Sequence, residues 1–401
     1  MITVEQHLAH VLKDARPLTH ERVPVGQALG RVLAADVVAT APSPPFDNSA
    51  MDGYALRSAD AANATATAPV ALRVVGEVSA GSSVDPRIPV GAAVRIMTGA
   101  ALPTDADTVV PIERTVEHDW GADPVRLDEQ AAVGANIRRA GEDLEVSGVV
   151  ATAGRRLTAF DIAGIAASGA ADVRVTRRPL VAVVTTGDEL VEAGGELRRG
   201  AVYDSNGPLV VGLLTEAGCT VVHRSRVGDA SGELESVLHD VLRSPVDVVL
   251  LTGGVGPGAH DPVGRLDLRR VNVAMQPGKP QAFGRLDGVP VFGLPGNPVS
   301  VAVSFHVFVL PLLRALQGLR PEAAVEQAVA EVGWRTPPAR RQYLPVATQR
   351  SGGALLVRPA NDRGSASHLI GRLGAADGFG IVPAEVAEVR AGDRIAVMLF
   401  E

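Results

Sequence analysis

The chain has 401 residues, 46% of them apolar and 21% charged, with a formal net charge of -7; this is a globular composition, long enough for roughly two to four domains. Aromatic residues make up only 3%, so stacking platforms for bases are scarce. That scarcity, the acidic balance and the lack of any Lys/Arg-rich block argue against nucleic-acid binding.

Taken in chain order, MITVEQHLAHVLKDARPL reads as a short amphipathic helix. Its acids and histidines interrupt what a signal peptide or membrane anchor would keep apolar, so a cytoplasmic protein is expected. RVPVGQALGRVLAADVVA then suggests a turn followed by an extended segment. Between 46 and 139, short strand-like runs such as ALRVVGEV, AAVRIMTGA and DTVVPIE are broken by Gly, Pro and Asp, predicting a small β domain. Within it SADAANATATAP reads as a surface loop. Residues 140–178 return to helix in LTAFDIAGIAASG, with Thr158 as N-cap, Asp161 in the first turn and Gly169 as the stop. The segments 1–45 and 140–178 are thus expected to pack together, with 46–139 inserted between them.

Over 179–320 the texture alternates. PLVAVVTTGDEL, TVVHRSRV, VDVVLLTGG and VPVFGLPGNP are apolar strands, and NGPLVVGLLTEAG and SGELESVLHDVLRS are helices. Such alternation predicts a parallel sheet covered on both faces. The single cysteine, Cys219, precedes one of these strands as a buried thiol and allows neither an internal disulfide nor a cysteine-based zinc cluster. The apolar run Val299 to Leu316 is interrupted by Ser300, Ser304, His306, Pro311 and Arg314, which suits a buried helix better than a bilayer span. QYLPVAT, ALLVRPA and RIAVMLF make 321–401 a second small β domain. The whole is a multidomain α/β plus β chain with a central parallel α/β domain.

Parallel sheets bind ligands beyond the carboxyl ends of their strands. There the turns TTGDEL and TGGVGPGAHD offer Thr185, Thr186, Gly253, Gly254, Gly256 and Gly258, hydroxyls and close backbone N–H groups suited to a phosphate or pyrophosphate. Neither turn has the spacing of a named nucleotide fingerprint. Glu189, Asp229 and Asp261 follow three of these strands, and together could hold Mg²⁺ against a ligand phosphate. In GLPGNPVS, Asn297 can cap a helix and Pro298 start it, while Gly293 and Gly296 line the same edge. PPFDNSAMDGYA carries Asp47 and Asp52, and RRAGEDL sets Arg138 and Arg139 near Glu142 and Asp143; by periodicity both are loops. His260 beside Asp261 reads as a loop residue, and no Ser/His/Asp arrangement stands out. Lysine occurs only at Lys13 and Lys279, although Lys and Arg total 38. Lys279, in MQPGKPQAFG, is a compact charge able to meet a tetrahedral oxyanion or a phosphate, for which the planar fork of arginine is less suited.

In order, PPFDNSAMDGYA, IMTGA, GANIRRAGEDL, TTGDEL, YDSNGPLV, TGGVGPGAHD, PGKPQAFG and GLPGNPVS resemble the MoeA family of molybdopterin molybdenumtransferases, whose animal counterpart is the E domain of gephyrin. The resemblance spans the chain. It implies an elongated N-terminal domain from 1–45 and 140–178, an inserted β domain over 46–139, a molybdopterin-binding α/β domain over 179–320 and a C-terminal β-barrel over 321–401. It implies a homodimer whose site is built between subunits, in which molybdate is inserted into adenylylated molybdopterin with release of AMP. By the same resemblance, Asp52, Thr98 and Asp143 face the partner's crevice. Glu189, Asp229 and Asp261 surround the Mg²⁺, and Thr186, Gly253, Gly254, Gly258, Pro295, Gly296 and Pro298 shape the substrate loops. Ser365 approaches from the C-terminal domain. Lys279 is expected to hold molybdate or the pyrophosphate. Many relatives carry lysine where this chain has Asn272 and Gln276, and serine at Gly256, which leaves the anion pocket less positive. Implied partners are the small-molecule substrates, molybdopterin adenylyltransferase and recipient molybdoenzymes. An adenylyltransferase-like paralogue and a non-catalytic molybdopterin-binding scaffold remain as alternatives.

Overall fold

The computed structural model describes residues 1–255, 262–361 and 370–400. The chain divides into two compact units, the larger from Met1–Glu21, Gly30–Ala34 and Arg174–Glu401, the smaller from Arg22–Leu29 and Ala35–Val173.

Helix α1, Val4–Leu12, opens the larger unit. Thr3 and Gln6 form a capping box at its start, and Val4 and Val11 are buried in the α/β core. Residues 1–21 therefore stand with that core, whereas the texture of the sequence sets 1–45 beside 140–178.

The smaller unit is built on strands β1 (Gly53–Leu56), β2 (Val70–Val78), β3 (Ala92–Ile96), β4 (Thr108–Pro111) and β5 (Val125–Leu127), in the order β4-β1-β3-β2-β5. β2 and β3 run parallel and the other pairs antiparallel. β1 is buried on both faces, because Tyr54 and Leu56 join one core and Ala55 another. Gly53 is obligatory: a Cβ there would lie 2.1 Å from the Val110 carbonyl oxygen on β4. The stretch expected as a surface loop in fact buries Ala61 and Ala64 in this core. Helix α2, Ala159–Ala167, begins at the expected Thr158–Asp161 capping box, and Gly169 beyond its end has φ +83°.

The larger unit contains strands β6 (Leu180–Thr186), β7 (Thr220–Val227), β8 (Val248–Thr252), β9 (Arg269–Asn272), β10 (Pro280–Leu286) and β11 (Val289–Leu294), with helices α3 (Asn206–Glu216) and α4 (Glu233–Leu242) between them. Their sheet has the order β7-β6-β8-β11-β10-β9. The first four are parallel, as expected; β10 and β9 extend the sheet antiparallel. The parallel strands thus read 2-1-3-4 in chain order, and the connections diverge between β6 and β8, which is where such a sheet opens a crevice at its carboxyl edge. Val181, Val183, Val248 and Leu250 face α3 and the long helix that follows β11, while Ala182, Val184, Val249 and Leu251 face α4.

α5 runs Pro298–Leu316, long and apolar enough to cross a membrane but 83% buried inside the protein. Pro311 has no N–H for the usual bond four residues back, and the helix widens to a π-turn over Phe305–Val309 just before it. Strands β12 (Glu326–Ala330), β13 (Arg341–Ser351), β14 (Ala354–Pro359), β15 (Gly378–Val382) and β16 (Arg394–Leu399) follow. They pair in the order β13-β14-β12-β16-β15, and β15 pairs again with β13, closing a barrel.

Candidate functional site

At the carboxyl edge of the α/β sheet, register fixes who stands beside whom. Thr185 on β6 is paired with Thr252 on β8, and Thr252 with Leu294 on β11. β10 begins at this edge because it runs against β11, Ala282 opposite Gly293. Lys279 immediately precedes β10 and Gly296 follows the end of β11, so the sequence-predicted lysine and the substrate-loop glycine stand at the same edge of the sheet. Asp229 lies beyond the end of β7, at the opposite margin. Four strand spacings separate β7 from β10, a span of about 19 Å.

The glycine turns divide their labour. Gly253, at φ +87°, has no room for a side chain: a Cβ would meet the Thr186 carbonyl at 2.7 Å and its hydroxyl at 2.9 Å. Its N–H goes to the Leu294 carbonyl at 3.1 Å, so it joins the strand ends. The N–H groups of Gly254 and Gly296, by contrast, donate to none of the described residues. The Thr186 hydroxyl reaches the Thr252 carbonyl at 3.3 Å. Pro298 is the first residue of α5, as expected; Asn297 occupies the cap position but its side chain makes no capping bond, which leaves that helix start open.

The Asp229 loop is held by its backbone. Asp188 accepts from the Asp229 N–H at 3.1 Å, Glu233 from the Gly228 N–H at 3.0 Å, and Arg265 donates to the Asp229 carbonyl at 2.9 Å. The carboxylates of Asp229 and Glu189 themselves make no hydrogen bond to the described residues. Among the described residues no three His, Cys, Asp or Glu side chains gather as a metal site. Asp261, Gly258, Gly256, His260 and Ser365 lie outside the described residues.

Lys279 is exposed and makes no ion pair among the described residues. The turn carrying it is clamped from below: the buried Gln281 donates to the Gly278 carbonyl and to the Ser304 hydroxyl on α5, both at 2.7 Å. Asn272 ends β9 and pairs with Pro280 beside Lys279, while Gln276 stands opposite Gln342 on β13.

In the smaller unit three of the quoted stretches converge. Asp52 accepts from the Thr98 N–H at 2.7 Å and its hydroxyl at 2.8 Å. The backbone hydrogen bond from Thr98 is the leading cause holding the Asp52 carboxyl below its usual range. Asp47 takes the Ala140 N–H at 2.8 Å and Arg139 at 2.6 Å, and its carboxyl is lowered first by that backbone bond. Asp143 is exposed in the adjoining turn, its N–H bound to the Ser43 carbonyl at 3.0 Å. Asp52 and Thr98 are thus in direct contact, and Asp143 is near them only through the shared loops. Phe46, Met51 and Met97 are 46%, 39% and 37% exposed around this loop cluster.

Sequence reasoning passed over Asp188, Arg265, Asp204 and Asn206. Asp204 is 8% and Asn206 7% exposed. Both stand in YDSNGPLV, where two polar side chains just before an apolar helix are a visible signal.

Residues 2–169 match the MoeA N-terminal region (domain I and II), 182–315 a probable molybdopterin binding domain, and 327–400 the MoeA C-terminal region (domain IV). The chain is 38% identical to molybdopterin molybdenumtransferase 2 of Mycobacterium tuberculosis, covering 99% of each. It is 32% identical to the molybdopterin molybdenumtransferase of Haemophilus influenzae, over 100% of this chain and 99% of that one. A crystal structure of the molybdopterin biosynthesis MoeA protein from Pyrococcus horikoshii superposes with a TM-score of 0.82 at 31% identity, over 100% of this chain and 99% of that one.

Proposed function

This chain belongs to the MoeA family, and on that premise we propose that it is a molybdopterin molybdenumtransferase, inserting molybdate into adenylylated molybdopterin with release of AMP. The observation that carries this reading is the carboxyl edge of the α/β sheet, where open N–H groups at Gly254 and Gly296 lie between carboxylates at one margin and Lys279 at the other. Its span of about 19 Å suits an extended substrate with a pyrophosphate at its middle.

The phosphates would lie over Gly254, Gly296 and the open start of α5, where backbone N–H groups and the helix dipole favour negative charge. Pro295 and Pro298 shape that loop. Lys279, held at its turn by Gln281, would take molybdate, its charge undiminished by any neighbouring carboxylate among the described residues. Glu189 and Asp229 supply oxygen donors of the class Mg²⁺ takes. Because no three-residue cluster closes around them among the described residues, they fit a site completed by Asp261 and by substrate phosphate oxygens. Bound there, Mg²⁺ would neutralise charge on the pyrophosphate. Asp188 and Arg265 hold the backbone of Asp229.

We assign Asp52, Thr98 and Asp143 to a second copy of the chain, completing the site in a homodimer. The exposed Phe46, Met51 and Met97 beside Asp52 support a surface that another molecule covers. The reading is tested by AMP release from adenylylated molybdopterin with Mg²⁺, with and without molybdate, for the native chain, Asp229→Ala and Lys279→Ala. Molybdate-stimulated release lost in both variants is expected. Tight binding without AMP release from the native chain would identify a binding protein instead.

A further inference from the structure

Where β10 lies against α5 its face is apolar, and Phe283 joins the α/β core with Val301 and Phe305. Gln281, two residues earlier and so on the same face, breaks that pattern. It is 1% exposed, and the Ser304 it meets on α5 is 0% exposed. A buried amide on an apolar face is costly unless hydrogen bonds match it. Here the Gln281 Nε2 uses both its protons, one on the Gly278 carbonyl and one on the Ser304 hydroxyl, each at 2.7 Å.

Those bonds act on Lys279. The peptide group before it is held through the Gly278 carbonyl by Gln281. The peptide group after it is held through the Lys279 carbonyl, which accepts from the Val273 N–H at 2.8 Å. With both neighbouring peptide planes fixed, the two soft dihedrals of Lys279 are fixed, and with them the direction in which its side chain leaves the backbone. Val273 is braced in turn: Ile2 donates to the Asn272 carbonyl at 2.9 Å and accepts from the Ala274 N–H at 2.8 Å, and the Arg341 N–H on β13 donates to the Ala274 carbonyl at 3.0 Å. Gly278, at φ +94°, seats the turn directly on the polar pair, since a Cβ there would lie 3.0 Å from the Ser304 hydroxyl and 3.3 Å from the Gln281 Nε2. Between Val273 and Pro280 only Lys279 is exposed.

Ser304 closes the regular stretch of helix that begins at Pro298. Six residues at 1.5 Å each put it about 9 Å from that open start. The Lys279 turn and the start of α5 therefore hang on one short length of helix. We propose that Gln281 and Ser304 are positioning residues for Lys279, setting its ammonium in register with the start of α5 so that molybdate and the substrate pyrophosphate are met at a fixed separation. The assignment rests on the transferase reading and adds to it how the two anion sites keep their spacing. A displacement of about 1 Å between bound reactants is enough to cost most of the rate, which gives a buried polar pair a use on an otherwise apolar face.

The test measures binding of molybdate and of AMP, separately, to the full chain as native protein, Gln281→Met, Ser304→Ala, Lys279→Ala and Gln281→Met combined with Lys279→Ala. Gln281→Met keeps the length and bulk of the side chain and removes both donors. Molybdate affinity should fall about tenfold in Gln281→Met and about threefold in Ser304→Ala, which leaves the Gly278 bond in place, with AMP affinity within about twofold of native in both. On the Lys279→Ala background, Gln281→Met should lower molybdate affinity no further, because a positioning residue then has nothing to position. Unchanged molybdate affinity in Gln281→Met overturns the assignment, as does a native chain that binds no molybdate. An equal fall for AMP, or a further fall on the Lys279→Ala background, overturns it too by showing a general loosening of the domain. Molybdate-stimulated AMP release by native protein, measured alongside, separates the two failures. Release with unaltered binding in Gln281→Met removes only the positioning role, and absent release with the expected pattern of binding removes the transferase reading and leaves Gln281 and Ser304 their role.

Discussion

In the smaller unit Asp47 and Asp52 direct their oxygens at the chain itself, to Arg139, Ala140 and Thr98. In the larger unit Glu189 and Asp229 leave theirs unclaimed by the described residues, while neighbouring side chains hold the backbone on which Asp229 stands. The same residue type therefore does two jobs. Where a carboxylate accepts backbone N–H groups it shapes a loop, and its removal should be felt in folding. Where only the peptide groups around it are bound, the loop keeps its shape without it, and its removal should be felt in chemistry.

The largest expected effect tests the second half of that contrast. Asp229→Ala should lower AMP release by about 10³-fold if the carboxylate stabilises developing charge, with the urea midpoint unchanged because Asp188, Glu233 and Arg265 bind only the backbone. A collapsed midpoint would show that the side chain folds the loop after all.

Acid should separate the units next. Burial foremost, then the charges of His10 and Arg269, pushes the His7 imidazole down to about 4 from 6.5. The unfolded chain takes up a proton between those values that the folded chain refuses, so stability is whole above pH 6.5 and falls by about 3 kcal/mol as pH drops to about 4. In the smaller unit the lowered Asp47 and Asp52 keep their contribution above the usual carboxylate value of 3.8 and lose it only as pH falls through their lower folded values. Hydrogen exchange across an acid series should show α1 opening first, and His7→Phe should abolish that early loss.

Gly53→Ala should cost about 2 kcal/mol by forcing β1 from β4, read as a lower urea midpoint. The smallest effect is at Asp52 itself: a carboxyl-carbon NMR titration should give a midpoint below 3.8, and Thr98→Val should move it upward by removing one of its two donors.

Much of this architecture was legible in the chain. Continuous apolar runs announced β6, β8 and β11, and Thr158 and Asp161 announced the start of α2. The antiparallel extension was not legible, since Arg269–Asn272 is short and mixed, and its partner Pro280–Leu286 carries no clear alternation. With it went the placement of Lys279, which depends on β10 running against β11. Glu189, Asp229 and Lys279 could be picked out because charge beside glycine is conspicuous. Asp188, Arg265 and Asn206 act by holding a carbonyl or an N–H in three dimensions, and a side chain that does so looks like any other turn residue in one. The role of Gly253 was also hidden, because only the finished sheet shows its N–H taken by Leu294.

The π-turn before Pro311 has a consequence for how this chain can vary. One extra residue in a turn advances the helical phase by about 100°, so Leu312, Leu313 and Leu316 reach the core on a different heading from Val301, Ala302 and Val303. A single-residue deletion in Phe305–Val309 would rotate the second half of α5 back and turn its leucines off their seats, while returning Pro311 to a regular helix that has no place for it. Length at this point is therefore fixed as firmly as composition. A homologue lacking the extra residue should also lack the proline, and a one-codon deletion should be rescued by Pro311→Ala only in part.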